Sequence, residues 1–156
     1  MKKILITGGF GNLGTWLVRY FSVQQEVQLF LLARSNKEND LTFTANFKFL
    51  ECDITNLESC KMVLGDIAFD YIIHTASSND YFIDNYAHDA LQVNALGTRN
   101  ILQTINFSSL KNFIYFSTFH VYGKGDGMIT EQTSLTPSND YAITHLFGEE
   151  YVKMFH

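Results

Sequence analysis

Apolar residues along this chain come in short unbroken runs set between longer mixed segments. ILIT (Ile4–Thr7), LFLLA (Leu29–Ala33), YIIH (Tyr71–His74) and FIYFS (Phe113–Ser117) show no alternation of apolar and polar positions. Such runs predict strands buried on both faces, as in a parallel sheet with helices on each side. The pattern predicts strands at about Lys3–Thr7, Val27–Ala33, Phe47–Glu51, Tyr71–His74 and Asn112–Ser117. Helical spacing falls between them, at about Leu13–Ser22, Leu57–Leu64 and Ala87–Ile105, with a last helix from near Asn139 to the end. Asn56, and either Ser138 or Asn139, stand where N-caps belong. Short strands alternating with longer helical segments predict an α/β fold, a doubly wound parallel sheet. The stripe Leu91, Ala95, Thr98, Leu102, Ile105 has helical spacing and is expected to be core or a dimer contact. The polar segments Ser35–Asn46 and Gly123–Pro137 read as surface loops.

Composition narrows the picture. The chain has 156 residues, 46% of them hydrophobic, which suits one domain (1–156) with a real core. A net charge of −5 argues against a general nucleic-acid binder, whose binding face is basic. No run approaches the length of a membrane span or a signal-peptide core, so a cytoplasmic location is expected. Cys52 and Cys60 fit neither a metal motif nor a disulfide framework and are expected to be reduced, buried thiols. The five histidines have no metal-type spacing. The sequence stops in or just after a helix, leaving a sheet edge in need of cover from a partner or from further chain.

Between the first strand and first helix lies Thr7-Gly8-Gly9-Phe10-Gly11-Asn12-Leu13-Gly14. Glycines at 8, 11 and 14, or 9, 11 and 14, serve a tight turn, close backbone approach to a pyrophosphate, and close helix–strand packing. The helix opening at Asn12 and Leu13 then offers uncapped N–H groups to the phosphates. The sheet is thus expected to be a Rossmann domain that binds NAD or NADP. After strand two stands Arg34 in place of the acid that grips a ribose 2′-hydroxyl, which favours NADP. A stacking role on adenine, or no role, remains open for Arg34.

The later motifs resemble, in order, those of the extended short-chain dehydrogenase/reductases, the NAD(P)-dependent sugar epimerase/dehydratase family. TGGFGNLG resembles TGxxGxxG, HTASS (74–78) resembles HxAA, and NALGTRNIL from Asn94 resembles NxxGTxNLL. FSTFHVYG resembles SSxxVYG, and PSNDYAITHLFGEE resembles PxxxYxxSKxxGE. The resemblance spans residues 2 to about 155. It implies cofactor contacts from Gly8, Gly11, Asn12, Leu13, Gly14, Asp53, Ile54, Thr75, Ala76, Ser77 and Asn94. It implies a catalytic trio of Tyr141 as acid/base, Thr118 as hydroxyl partner, and the residue four after the tyrosine, which also binds the nicotinamide ribose. That last residue is lysine in the family and His145 here. A histidine is shorter and largely neutral at pH 7, so it lowers the tyrosine pKa less than lysine.

The Asp-Glu pair that follows the threonine in the family's sugar dehydratases is replaced by Phe119 and His120, which argues against 4,6-dehydration. His120 is a candidate auxiliary group at the substrate, and Ser78 and Tyr81 are candidate substrate contacts. The resemblance implies an NAD(P)-dependent epimerase or oxidoreductase acting on a nucleotide-activated sugar. It also implies a homodimer formed through helices 87–105 and 141–155. The family's smaller C-terminal substrate domain is not encoded in these residues, so the sequence is expected to be truncated relative to the family. A dinucleotide-binding protein without turnover is the alternative.

Overall fold

The computed structural model describes residues 1–78, 86–124 and 127–156. Strands β1 (Lys2–Thr7), β2 (Val27–Ala33), β3 (Lys48–Glu51), β4 (Tyr71–His74) and β5 (Asn112–Tyr115) form one parallel sheet. Their order is β3-β2-β1-β4-β5, so the winding reverses between β1 and β4. Thr7 and His74 are register partners at that switch point, where a doubly wound sheet opens its ligand crevice.

Helices α1 (Asn12–Phe21), α2 (Leu57–Leu64), α3 (Tyr86–Ala90), α4 (Thr98–Thr104) and α5 (Asp140–Phe155) flank the sheet. One face buries Leu5, Phe30, Leu32, Phe69 and Ile72 against Cys60 and Leu64 of α2 and Ile101 and Leu102 of α4. Tyr151, Val152 and Phe155 of α5 pack on the same cluster. The other face buries Ile4, Ile6, Leu29, Leu31 and Ile73 with Val18 of α1. The caps form as expected: Asn56 accepts from Ser59 N at 3.0 Å, and Asn139 accepts from Ala142 N at 2.8 Å.

Two expectations are corrected. FIYFS was expected to be covered on both sides as far as Ser117; the strand ends at Tyr115 and forms the sheet edge. Ile114 and Phe116 are 43% and 41% exposed, because α1 lies over β1 and β2 and does not reach β5. An apolar groove of about 600 Å³, bordered by Tyr20, Val23, Tyr71, Ile73 and Ile114, runs along this bare face.

The second correction concerns the long helix. α3 and α4 are joined by a π-helical stretch, Leu91–Gly97. The backbone stays helical at both joins, but the wider turns change the phase. Leu91 therefore leaves the predicted stripe and is 40% exposed, whereas Ala95, Thr98, Leu102 and Ile105 are buried.

Candidate functional site

The glycine turn is built around one close approach. Gly8 has φ +67°, and a Cβ there would stand 2.7 Å from the Cα of Ala76, two residues past the end of β4. Neither the dihedral nor the space admits another residue cheaply. At Gly14 a Cβ would strike the carbonyl oxygen of Gly8, so α1 lies directly on the turn. Gly9 is hemmed in as well, by the Leu31 side chain, so both glycine spacings meet close packing here. α1 begins after Gly11 with no side-chain cap and no acid in its first turn. Its N–H groups, including those of Leu13 and Gly14, face the end of the sheet where an anion is favoured. Beside the turn, Phe10, Gly11, Asn12, Thr15, Trp16, Arg19, Thr42 and Phe43 line a cavity of about 260 Å³.

Behind the turn runs a row of buried polar groups. Thr7 Oγ1 accepts from Ala76 N at 3.2 Å and lies 2.6 Å from His74 Nδ1. His74 Nε2 lies 3.0 Å from Thr98 Oγ1, which donates to the Asn94 carbonyl at 2.7 Å. The directions fix one arrangement: Thr7 donates to Nδ1, and His74 is neutral with its proton on Nε2. Burial, with the nearby His145 adding to it, holds the His74 pKa down at about 3. Thr75 is tied to Thr7 through both its N–H and its hydroxyl.

Asn94, in the π-helical stretch, accepts from Ser78 N at 2.7 Å and donates to Ser78 O and Thr144 Oγ1, each at 3.1 Å. Its amide thus pins the loop after β4 to α5. Tyr81 lies outside the described residues.

Of the predicted catalytic side chains, Tyr141 and His145 meet directly. Tyr141 and His145 occupy successive turns of α5, with ring centroids 4.5 Å apart at 67°. On its other side Tyr141 meets His120, edge-on at 5.8 Å. His120 belongs to a short 3₁₀ turn, Phe119–Tyr122, capped by Thr118, whose Oγ1 accepts from His120 N at 3.3 Å.

His145 is 2% exposed, and both ring nitrogens are engaged: Nε2 lies 3.0 Å from Ser77 Oγ, and Nδ1 lies 3.0 Å from the Tyr115 hydroxyl. Burial first, and the His120 charge second, lower its pKa to about 4, so it is neutral at pH 7. The phenol of Tyr115, itself pushed up by burial, also contacts the His145 carbonyl at 3.3 Å.

Two predicted residues lie at the periphery. Arg34 is exposed just beyond β2. Asp53 is exposed after β3, with its carboxylate accepting the N–H and hydroxyl of Thr55. Ile54 beside it is buried, and its carbonyl accepts from Asn100 Nδ2 at 2.8 Å.

A family model described as NAD dependent epimerase/dehydratase matches residues 4–156. The chain belongs to this family. Among curated relatives, a dTDP-D-glucose 4,6-dehydratase of Dictyostelium discoideum is 29% identical over 100% of this chain and 41% of its own length. Among solved structures, the UDP-Glc/GlcNAc 4-epimerase of Campylobacter jejuni matches with a TM-score of 0.87 and 29% identity. It is covered over 49% of its length, and this chain over 99%. A UDP-glucuronic acid 4-epimerase of Bacillus cereus, in complex with NAD, shares the fold at a TM-score of 0.83 and 24% identity, covering 99% of this chain and 52% of that one. This epimerase/dehydratase-family chain thus spans about half the length of the relatives it matches. Among its described residues no helix is long and apolar enough to cross a membrane.

Sequence reasoning missed two parts of this family site: the Tyr115 hydroxyl against His145, and the row Thr7–His74–Thr98. A signal for the first was present, since a tyrosine inside an otherwise apolar strand needs a partner for its hydroxyl.

Proposed function

We propose that this chain is the cofactor-binding part of an NAD(P)-dependent epimerase or oxidoreductase acting on a nucleotide-activated sugar. The observation that carries the reading is the turn at Gly8 and Gly14. Its backbone is kept clear by the absence of two Cβ atoms, beneath an uncapped helix start. Gly8, Gly11, Asn12, Leu13 and Gly14 hold the pyrophosphate, Asp53 and Ile54 border the adenine, and Arg34 suits a 2′-phosphate, favouring NADP. Thr75, Ala76 and Ser77 lie beneath the nicotinamide, and Asn94 acts by holding the loop through Ser78. When bound, the nicotinamide supplies the oxidation and reduction of a sugar carbon.

The chain's own part is proton handling. Tyr141 takes and returns the proton of the reacting hydroxyl, and Thr118 holds that oxygen. Ser78, Tyr81 and His120 border the sugar. His145, neutral and fixed by Ser77 and Tyr115, packs against Tyr141 and shapes its surroundings without supplying a charge. Ile143, Phe147 and Met154 of α5 are 36%, 46% and 64% exposed, which supports a homodimer through 87–105 and 141–155. A cytoplasmic enzyme is the corresponding proposal for location.

The test offers UDP- and dTDP-hexoses with NAD or NADP to the protein and follows nicotinamide absorbance and product sugars. Turnover that Tyr141→Phe abolishes, while the fold and cofactor binding persist, supports the reading. One observation favours a second reading, a dinucleotide binder without turnover: both nitrogens of His145 are occupied by protein groups. Cofactor binding with no product from any sugar nucleotide selects it.

A further inference from the structure

Cys52 and Cys60 are the only cysteines of the chain, and both are free and buried. Their sulfurs lie 3.8 Å apart. Cys52 follows β3 and continues its ladder, with its N–H donating to Ala33 O at 3.0 Å. Cys60 sits in α2, held through its N–H by the carbonyl of Asn56. Between them lies the Asp53–Asn56 turn, and the Cys60 thiol touches its carbonyls, Ile54 O at 3.7 Å and Asp53 O at 4.0 Å. No step proposed above uses either sulfur.

We propose that Cys52 and Cys60 form a reversible dithiol–disulfide pair that moves the Asp53–Ile54 turn and so weakens dinucleotide binding when oxidised. The coupling rests on the reading that this turn borders the adenine. The chemistry needs a peroxide as oxidant. Cys52 sulfur attacks one peroxide oxygen to give a sulfenic acid and release water, and Cys60 sulfur then displaces the hydroxyl as a second water. Two thiols are oxidised and one peroxide is reduced.

The environment assigns the two roles. Cys52 keeps 3% of its surface and Cys60 none. Contact with Cys60 and with the Ser59 hydroxyl brings the Cys52 pKa down, whereas the Cys52 contact and burial push Cys60 up. Cys52 is therefore the attacking thiolate and Cys60 the resolving thiol.

Bond formation draws the sulfurs from 3.8 Å to about 2 Å. It also removes the thiol hydrogen facing Ile54 O. β3 is held by its ladder and α2 by its helix bonds, so the turn between them takes up the movement. Asn100, bonded to Ile54 O at 2.8 Å and Thr55 O at 3.3 Å, passes the change to α4.

The experiment treats the protein with hydrogen peroxide, then counts thiols in denaturant and weighs the tryptic peptide Phe49–Lys61, which contains both cysteines. NAD affinity is measured before and after treatment, and again after dithiothreitol. The expected result is loss of both thiols together, a peptide lighter by two hydrogens, and NAD affinity about tenfold weaker, restored by reduction. Cys52→Ser keeps its NAD affinity after peroxide, and Cys60→Ala does the same should the serine variant not fold. Thiols that survive treatment, disulfides between chains, or an internal disulfide with unchanged affinity each overturn the proposal. Reduced protein that binds no NAD overturns the cofactor reading and with it the coupling, while the peptide mass still decides whether the disulfide forms.

Discussion

The Tyr115 hydroxyl stands 3.0 Å from Nδ1 of His145, so a residue of the sheet-edge strand sets the state of a residue of α5. With Ser77 on the opposite nitrogen, the imidazole has one donor and one acceptor role, both filled inside the protein. Tyr115→Phe removes one partner, yet keeps the ring stacked on His74 at 5.7 Å. It is expected to lower stability by about 1–2 kcal/mol, the usual cost of leaving a buried polar atom unpaired. Urea unfolding measures this, and an unchanged midpoint would show that the hydroxyl does not hold His145.

Acid should unfold this protein through its histidines. His74 and His145 are neutral in the fold, with pKa values of about 3 and about 4, against an unfolded value of 6.5. Between those limits the unfolded chain binds more protons. Stability is therefore full above pH 6.5 and falls as pH drops towards 3. For His145 alone the loss reaches on the order of 3 kcal/mol. Melting temperature followed from pH 7 to pH 4 should fall, and less steeply in His145→Gln.

Gly8→Ala would set a Cβ 2.7 Å from the Cα of Ala76 at φ +67°. The expected cost is about 2 kcal/mol or more. NAD affinity should fall further than stability alone explains, because the turn must shift to admit the methyl group. Calorimetric titration of the folded variant checks this; full affinity would remove the turn from the cofactor site.

Arg34→Ala should separate the two dinucleotides. An exposed guanidinium on a 2′-phosphate is worth about 1–3 kcal/mol as a charge-assisted hydrogen bond. NADP affinity is expected to fall about tenfold or more, with NAD nearly unchanged. Equal losses for both would instead fit a guanidinium stacked on adenine.

Much of this is legible in the amino-acid sequence. β1, β2 and β4 declared themselves because buried parallel strands carry unbroken apolar runs, and the glycine turn because its geometry admits little else. Asn56 and Asn139 could be read as caps because capping is local. The bare face of β5 could not be read, since Ile114 and Phe116 look the same in sequence whether or not a helix covers them. Nor could the π-helical stretch, whose Asn94 meets Ser78 and Thr144 only once the fold brings separate elements together. His145 was visible as a departure from the family pattern. Its neutrality at pH 7 was legible too, whereas its burial, with Ser77 and Tyr115 on its two nitrogens, was not.

The π-helical stretch also has a consequence for how this helix tolerates change in length. Deleting one residue between Leu91 and Gly97 would let ordinary α-helical turns replace the wider ones, with the helices on either side keeping nearly their present phase. The residues inside the stretch would be re-spaced, and Asn94 would lose its place opposite Ser78. The spacing of the segment, as much as the identity of Asn94, keeps the loop after β4 in place. A length change here would therefore disturb the neighbourhood of Tyr141 while leaving its side chains untouched.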